Sequence, residues 1–121
     1  MSKDGILLLE FADLASIIQN KMFDTICHEH LEYYSSKVIL NLCNKNKLRV
    51  FDIKKNDING SSKQYYICHD NSKILNNNIV IKDELQNESK LKLSEVEKLK
   101  KFFKNINQLK NELIKLIKKI N

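Results

Sequence analysis

From Asp83 to Asn121 the chain carries no glycine or proline, and Leu99, Phe102, Ile106, Leu109, Leu113, Leu116 and Ile120 recur in alternating steps of three and four. That spacing puts seven apolar side chains on one face of a helix, whereas a strand would scatter them over both of its faces. A stripe of this kind has to bury itself. It can dock on its own domain or on a neighbouring one; a short self-associating coiled coil is the alternative, three heptads being little for one. Ser94 and Glu97 stand at capping-box spacing and predict where the helix begins.

The first 70 residues follow a different rhythm. Gly5 to Glu10, with its unbroken Ile6-Leu7-Leu8-Leu9 run, reads as a short strand covered on both faces. Leu14 to Asn20 suits a short helical turn. Ser35 or Ser36 caps a helix with Val38, Ile39, Leu42 and Cys43 on one face, and Asn46 stops it. Leu48 to Ile53 alternates as a strand, Asp57 to Ser62 carries turn chemistry around Asn59-Gly60, and Gln64 to Cys68 is a further strand rich in Tyr and Ile. The order is that of the closing half of an α/β sheet, about three strands with the last pair antiparallel. Residues 1–70 form one expected unit. Residues 71–121 read as a polar linker, with Ile79-Val80-Ile81 as a short extended piece, followed by the amphipathic helical segment.

Composition narrows the partners. A chain of 121 residues suits one domain or a piece of one. The net charge of +6 comes almost wholly from lysine, with Arg49 the single arginine, and the lysines lie mostly opposite the apolar stripe. A nucleic-acid site favours arginine forks and interleaved aromatics, so a solvated face is expected and nucleic acid is not. No apolar run reaches the roughly 20 residues of a membrane span, and the N-terminal apolar run meets Glu10 and Asp13 too early for a signal-peptide core. No membrane partner and a cytoplasmic location are the expectations. Cys27, Cys43 and Cys68 are an odd set without framework spacing and read as reduced thiols, the last two as small hydrophobes.

Chemistry concentrates between Asp24 and Tyr34, where Cys27-His28-Glu29-His30 precedes two tyrosines. Histidine has the unperturbed pKa nearest neutrality, so a His beside a Glu that orients it is a natural general base. His28 and His30 are two apart and point the same way in extended backbone, but no paired ligand motif accompanies them and no metal is expected. Cys27 beside the histidines suits a Cys/His nucleophile in type, without a third orienting group. Tyr33, Tyr34, Tyr65 and Tyr66 read as packing residues with wet hydroxyls.

The run Phe23-Asp24-Thr25-Ile26-Cys27-His28-Glu29-His30-Leu31, followed by Tyr33-Tyr34-Ser35, resembles the "FDTIYHEHLSYFS" signature of the S-adenosylmethionine-dependent C-methyltransferases that act on nucleotide-linked deoxysugars. Gly5 to Ala12 resembles that family's strand ending in Glu-Val-Pro, Leu48 to Ile53 its "GLEVFDV" strand, and Asn59 to Gln64 its "HGGSLR" turn. The resemblance implies the last three strands of a Rossmann-like methyltransferase sheet and helices leading towards a C-terminal domain. It implies a nucleotide-linked keto-deoxysugar as substrate and S-adenosylmethionine as cofactor, with most of the cofactor site missing from these residues. By the same resemblance His30 is the general base, Glu29 positions the base or the substrate, and His28, Gly60 and Ser62 line the sugar site. Cys27 stands where the family has an active-site Tyr, Ala12 replaces a Pro, and Ser61 replaces a Gly of the turn. A piece of such an enzyme, inactive by itself, is the expectation; the alternative is a catalytically inactive relic that binds a partner through its helix. Self-association through the sheet edge or residues 99–120 is a further expectation.

Overall fold

The structure, a computed structural model, describes residues 1–56 and 61–120. Its elements in order are β1 (Leu7–Ala12), α1 (Leu14–Asn20), a single 3₁₀ turn (Phe23–Thr25), α2 (Ser36–Lys45), β2 (Leu48–Asn56), β3 (Ser62–His69), α3 (Asn78–Leu91) and α4 (Val96–Ile120). The three strands form one sheet in the order β1-β3-β2. Both β1 and β2 pair with β3 in antiparallel fashion, so β1 and β2 run in the same direction with β3 reversed between them.

The last pair is antiparallel, as its pattern predicts, and β1 lies at a sheet edge. Contrary to expectation β1 is not covered on both faces, Leu8 being 49% exposed. An unbroken apolar run fits a strand buried on both faces, and among the described residues only the Leu9 and Phe11 side meets the core.

The core follows the period of two along the strands. Val50 faces Ile67 and Ile53 faces Tyr65 across β2 and β3; all four are buried with Ile39 and Cys43 of α2. Leu9, Phe11, Tyr34, Leu40, Leu48, Val80 and Ile81 pack around them. Only half of the expected α2 face is buried here, because Val38 and Leu42 remain exposed. Helix α2 begins where the sequence places it: Ser35 is its N-cap, with Oγ accepting from Val38 N at 3.4 Å, and Asn46 ends it.

Two departures concern the C-terminal part. Ile79-Val80-Ile81 is the first turn of α3, not an extended piece. A bulge between Val50 and Asp52 leaves Phe51 without a cross-strand partner, and its carbonyl accepts Asn77 N at 2.7 Å. Asp52 Oδ1 also accepts from Asn77 Nδ2 at 3.1 Å, so the bulge ties down the start of α3. Helix α4 starts at Val96, one residue too late for Ser94 to be its N-cap. Phe102 is buried and Leu99 and Ile106 are half-buried, while from Leu109 to Ile120 the stripe is exposed. Among the described residues no helix is long and apolar enough to cross a membrane.

Candidate active site

The loop from Thr25 to Tyr34 folds back on itself around one backbone carbonyl. Thr25 O accepts from His30 Nδ1 at 2.9 Å and from the Tyr33 hydroxyl at 3.3 Å, and the His30 and Tyr33 rings meet edge to face at 6.1 Å. A carbonyl oxygen can only accept, so Nδ1 carries a proton, and whenever the ring is neutral it is Nε2 that keeps the lone pair. This is the arrangement of a histidine prepared to take a proton through Nε2.

His30 lines an open cleft of about 440 Å³ together with Glu10, Phe11 and Ala12 of β1 and Glu29 to Tyr34 of the loop. Phe11 anchors the wall. Its ring stacks on Tyr65 at 5.2 Å and meets the Tyr34 ring edge to face at 5.8 Å. Tyr65 is fully buried and its hydroxyl is bonded, contrary to the expectation of a wet hydroxyl; Tyr33, Tyr34 and Tyr66 are half-buried as expected.

Of the residues that the sequence singles out, Glu29 and His30 come together in the cleft. Cys27 and His28 lie beside them on the same loop, exposed, without lining it. Ser62 lies one step behind: its Oγ donates to Glu10 Oε1 at 2.5 Å. Gly60 falls outside the described residues. Ser61, in the place of the family's glycine, has φ 149°, backbone that a residue with a Cβ rarely adopts. Among the described residues no cluster of His, Cys, Asp and Glu is arranged to hold a metal ion.

Sequence reasoning missed Glu10. Hydrogen bonds from Ser62 and from Gln64 Nε2 (2.8 Å), with a third from Asn56, hold its carboxyl below the usual range. A fixed anion therefore faces the same cleft as His30. The signal available in the sequence was its place at the end of a strand that leads towards the histidine loop.

Also missed was a buried ionic cluster behind the cleft. Lys63 is 0% exposed, and its Nζ lies 2.6 Å from Asp13 Oδ1, in contact with Glu84 Oε1, and 3.8 Å from Glu88 Oε1. It also reaches Ser36 Oγ at 3.2 Å. Three carboxylates against one ammonium would be prohibitive without other donors. Asp13 caps α1, accepting from Ala15 N, Ser16 N and Ser16 Oγ, and Glu88 accepts Ser36 N at 2.5 Å and Lys37 N at 3.0 Å at the start of α2. Helix N-termini thus supply the missing positive partners. Burial works to raise the Asp13 carboxyl, but Lys63 and Ser16 outweigh it and hold it below its ordinary value. Burial pushes the Tyr65 phenol far up, against its bond to Ser36 and helped by Asp13, Glu88 and Glu84.

The comparisons with known proteins agree with this architecture. The C-methyltransferase C-terminal domain family matches residues 57–121, more than half of the chain, and the chain belongs to that family. Among curated proteins, C-methyltransferase NovU of Streptomyces niveus is 36% identical over 62 residues. That stretch is 51% of this chain and 15% of NovU, so the chain spans a small part of the length of this relative.

Proposed function

We propose that this chain is part of a C-methyltransferase acting on a nucleotide-linked keto-sugar, and that His30 is the base that removes the proton from the carbon beside the ketone. The observation that carries this reading is the bond from His30 Nδ1 to Thr25 O, which leaves Nε2 as the proton acceptor in a residue that lines the cleft. Glu29 lies in the same wall and is suited to orient a sugar hydroxyl or the protonated imidazole. Glu10, held as an anion, favours hydroxyl donors over phosphate and suits the sugar end of such a substrate. The strand order supports a Rossmann-like closing half, because two strands of like direction flank a reversed one.

The cofactor that the family implies is S-adenosylmethionine, and the described residues do not fit it. Gly5 is the one glycine among them, and it lies in a tight turn where an added Cβ would come 2.7 Å from Met1 Cγ, not in a loop open to a ligand. The chemistry these residues support is therefore the proton transfer alone. It is tested by incubating a nucleotide-linked keto-deoxysugar in deuterated water with the longest protein that carries this sequence. Exchange at the carbon beside the ketone is expected, and His30→Ala should slow it at least ~100-fold; unchanged exchange in that variant would overturn the assignment.

The exposed stripe of α4 favours a second reading, an inactive module that binds through residues 99–120. Leu113 is 52% and Ile120 76% exposed. Under that reading sedimentation shows this chain self-associating and the deuterium exchange is absent.

A further inference from the structure

Helix α3 belongs to the stretch matched by the C-terminal domain family, yet two of its side chains reach the elements that carry the histidine loop. Glu84 and Glu88 are one turn apart and both are buried. Glu88 holds the first two backbone N–H groups of α2, those of Ser36 and Lys37, which directly follow the loop and its cap Ser35. Glu84 accepts from Ser36 Oγ at 3.2 Å and from Lys63, with Lys55 at 3.6 Å on its outer side. Ser36 Oγ lies 2.8 Å from the Tyr65 hydroxyl, Tyr65 stacks on Phe11, and Phe11 packs against Tyr34. The cleft wall and the exit of the His30 loop are thus joined to one helix by two routes, one through backbone and one through rings.

We propose that Glu88, supported by Glu84, is a positioning residue that makes α3 a latch on the histidine loop, fixing where Tyr34 leaves the cleft and hence where His30 stands. The functional sense of the latch rests on His30 being the base; the latch itself does not. A single N-cap serine gives α2 a start, but it leaves Ser36 N and Lys37 N to find acceptors in a buried place. A carboxylate spanning both fixes the axis of the first turn as well as its first hydrogen bond. Buried charges one turn apart on a helix are costly unless something demands them, and the alternative of apolar side chains there would leave those donors unsatisfied.

The test is nitrogen-15 spectroscopy of the full chain with Glu88→Ala, Glu88→Gln and Glu88→Asp. In the wild type the Ser36 and Lys37 amides are expected far downfield, and the His30 ring is expected to show a protonated Nδ1 and a bare Nε2. With Glu88→Ala both amides should move, residues 25–34 should broaden, and the His30 ring should shift towards a mixture of tautomers, while the β2 and β3 resonances stay in place. Glu88→Gln keeps an acceptor for Ser36 N and should restore most of the His30 pattern. If the Ser36 and Lys37 amides move but His30 and its loop do not, the latch does not reach the site and the proposal is overturned. Should Glu88→Ala lose the sheet, Glu88→Asp decides: it keeps the charge and withdraws it by one methylene, and an unchanged His30 signal there overturns the proposal equally. In the deuterium exchange assay a displaced His30 should cost ~10- to 100-fold in rate with Glu88→Ala. The spectra report on the latch whether or not exchange occurs, so failure of the latch and failure of the base assignment are separate outcomes.

Discussion

The Tyr65 hydroxyl lies 2.8 Å from Ser36 Oγ, joining the central strand of the sheet to the first residue of the helix that follows the histidine loop. Both residues are fully buried, so the bond stands in a place where an unpaired hydroxyl is costly. Ser36 keeps Glu84 as an acceptor when Tyr65 is lost. Tyr65→Phe is therefore expected to destabilise the fold by only about 1 kcal/mol, read from the urea midpoint.

Lys63 is a different matter. Its buried ammonium stands between Asp13, Glu84 and Glu88, the one buried cation among the described residues. Lys63→Met matches its length without its charge and strands three carboxylates against each other. A loss of about 3–5 kcal/mol, or failure to fold, is the expected outcome. Pairing it with Glu84→Leu removes one stranded charge and should recover a measurable part of the loss in the same titration.

The two shifted groups at the centre of the cluster set opposite limits on pH. Asp13 has a folded pKa below its ordinary 3.8, so the stability it contributes is present above that value and is lost as pH falls through the folded one. Tyr65 has a folded pKa above its ordinary 10.0, so its contribution is complete below pH 10 and is lost as pH rises beyond. Melting temperature against pH should fall at both ends. Tyr65→Phe should flatten the alkaline limb and leave the acid one.

How far the fold was legible follows from these same residues. The α2 cap, the Asn46 stop and the β2–β3 pair could be read because local chemistry and periodicity agree there. The first turn of α3 was not legible, since its buried face continues from Val80 and Ile81 into Glu84 and Glu88, and charged residues on a buried face erase the apolar period that marks a helix. Lys63 was hidden for the same reason: in a strand of alternating character it reads as a solvent position, yet it shares its face with Tyr65 and Ile67. The histidine loop was found by its residue types. Its working geometry depends on the carbonyl of Thr25, which no pattern of side chains announces.

Ser61 carries φ 149° while its carbonyl accepts Asp13 N at 3.4 Å and its hydroxyl meets Ser16 Oγ at 3.1 Å. The backbone there suits glycine, and Ser61→Gly removes the steric cost at the price of one part-buried hydroxyl contact. A net gain of about 1 kcal/mol is expected. A drop in the urea midpoint would instead mean that the Ser16 contact outweighs the strain.

Helix α4 separates into a docked and an undocked part, and substitutions should divide the same way. Phe102 is 5% exposed, so Phe102→Ala is expected to cost about 3 kcal/mol through lost burial. Leu113 and Leu116 are about half exposed on the same heptad stripe. Leu113→Lys with Leu116→Lys should leave the unfolding midpoint of the sheet and its helices within about 0.5 kcal/mol of the parent, since little packing is removed. The same pair places two charges in the stripe and should abolish any self-association detected by sedimentation. A matching loss of stability in both sets of variants would show that residues 109–120 are held against the rest of the chain in solution, and the division drawn from their exposure would be wrong.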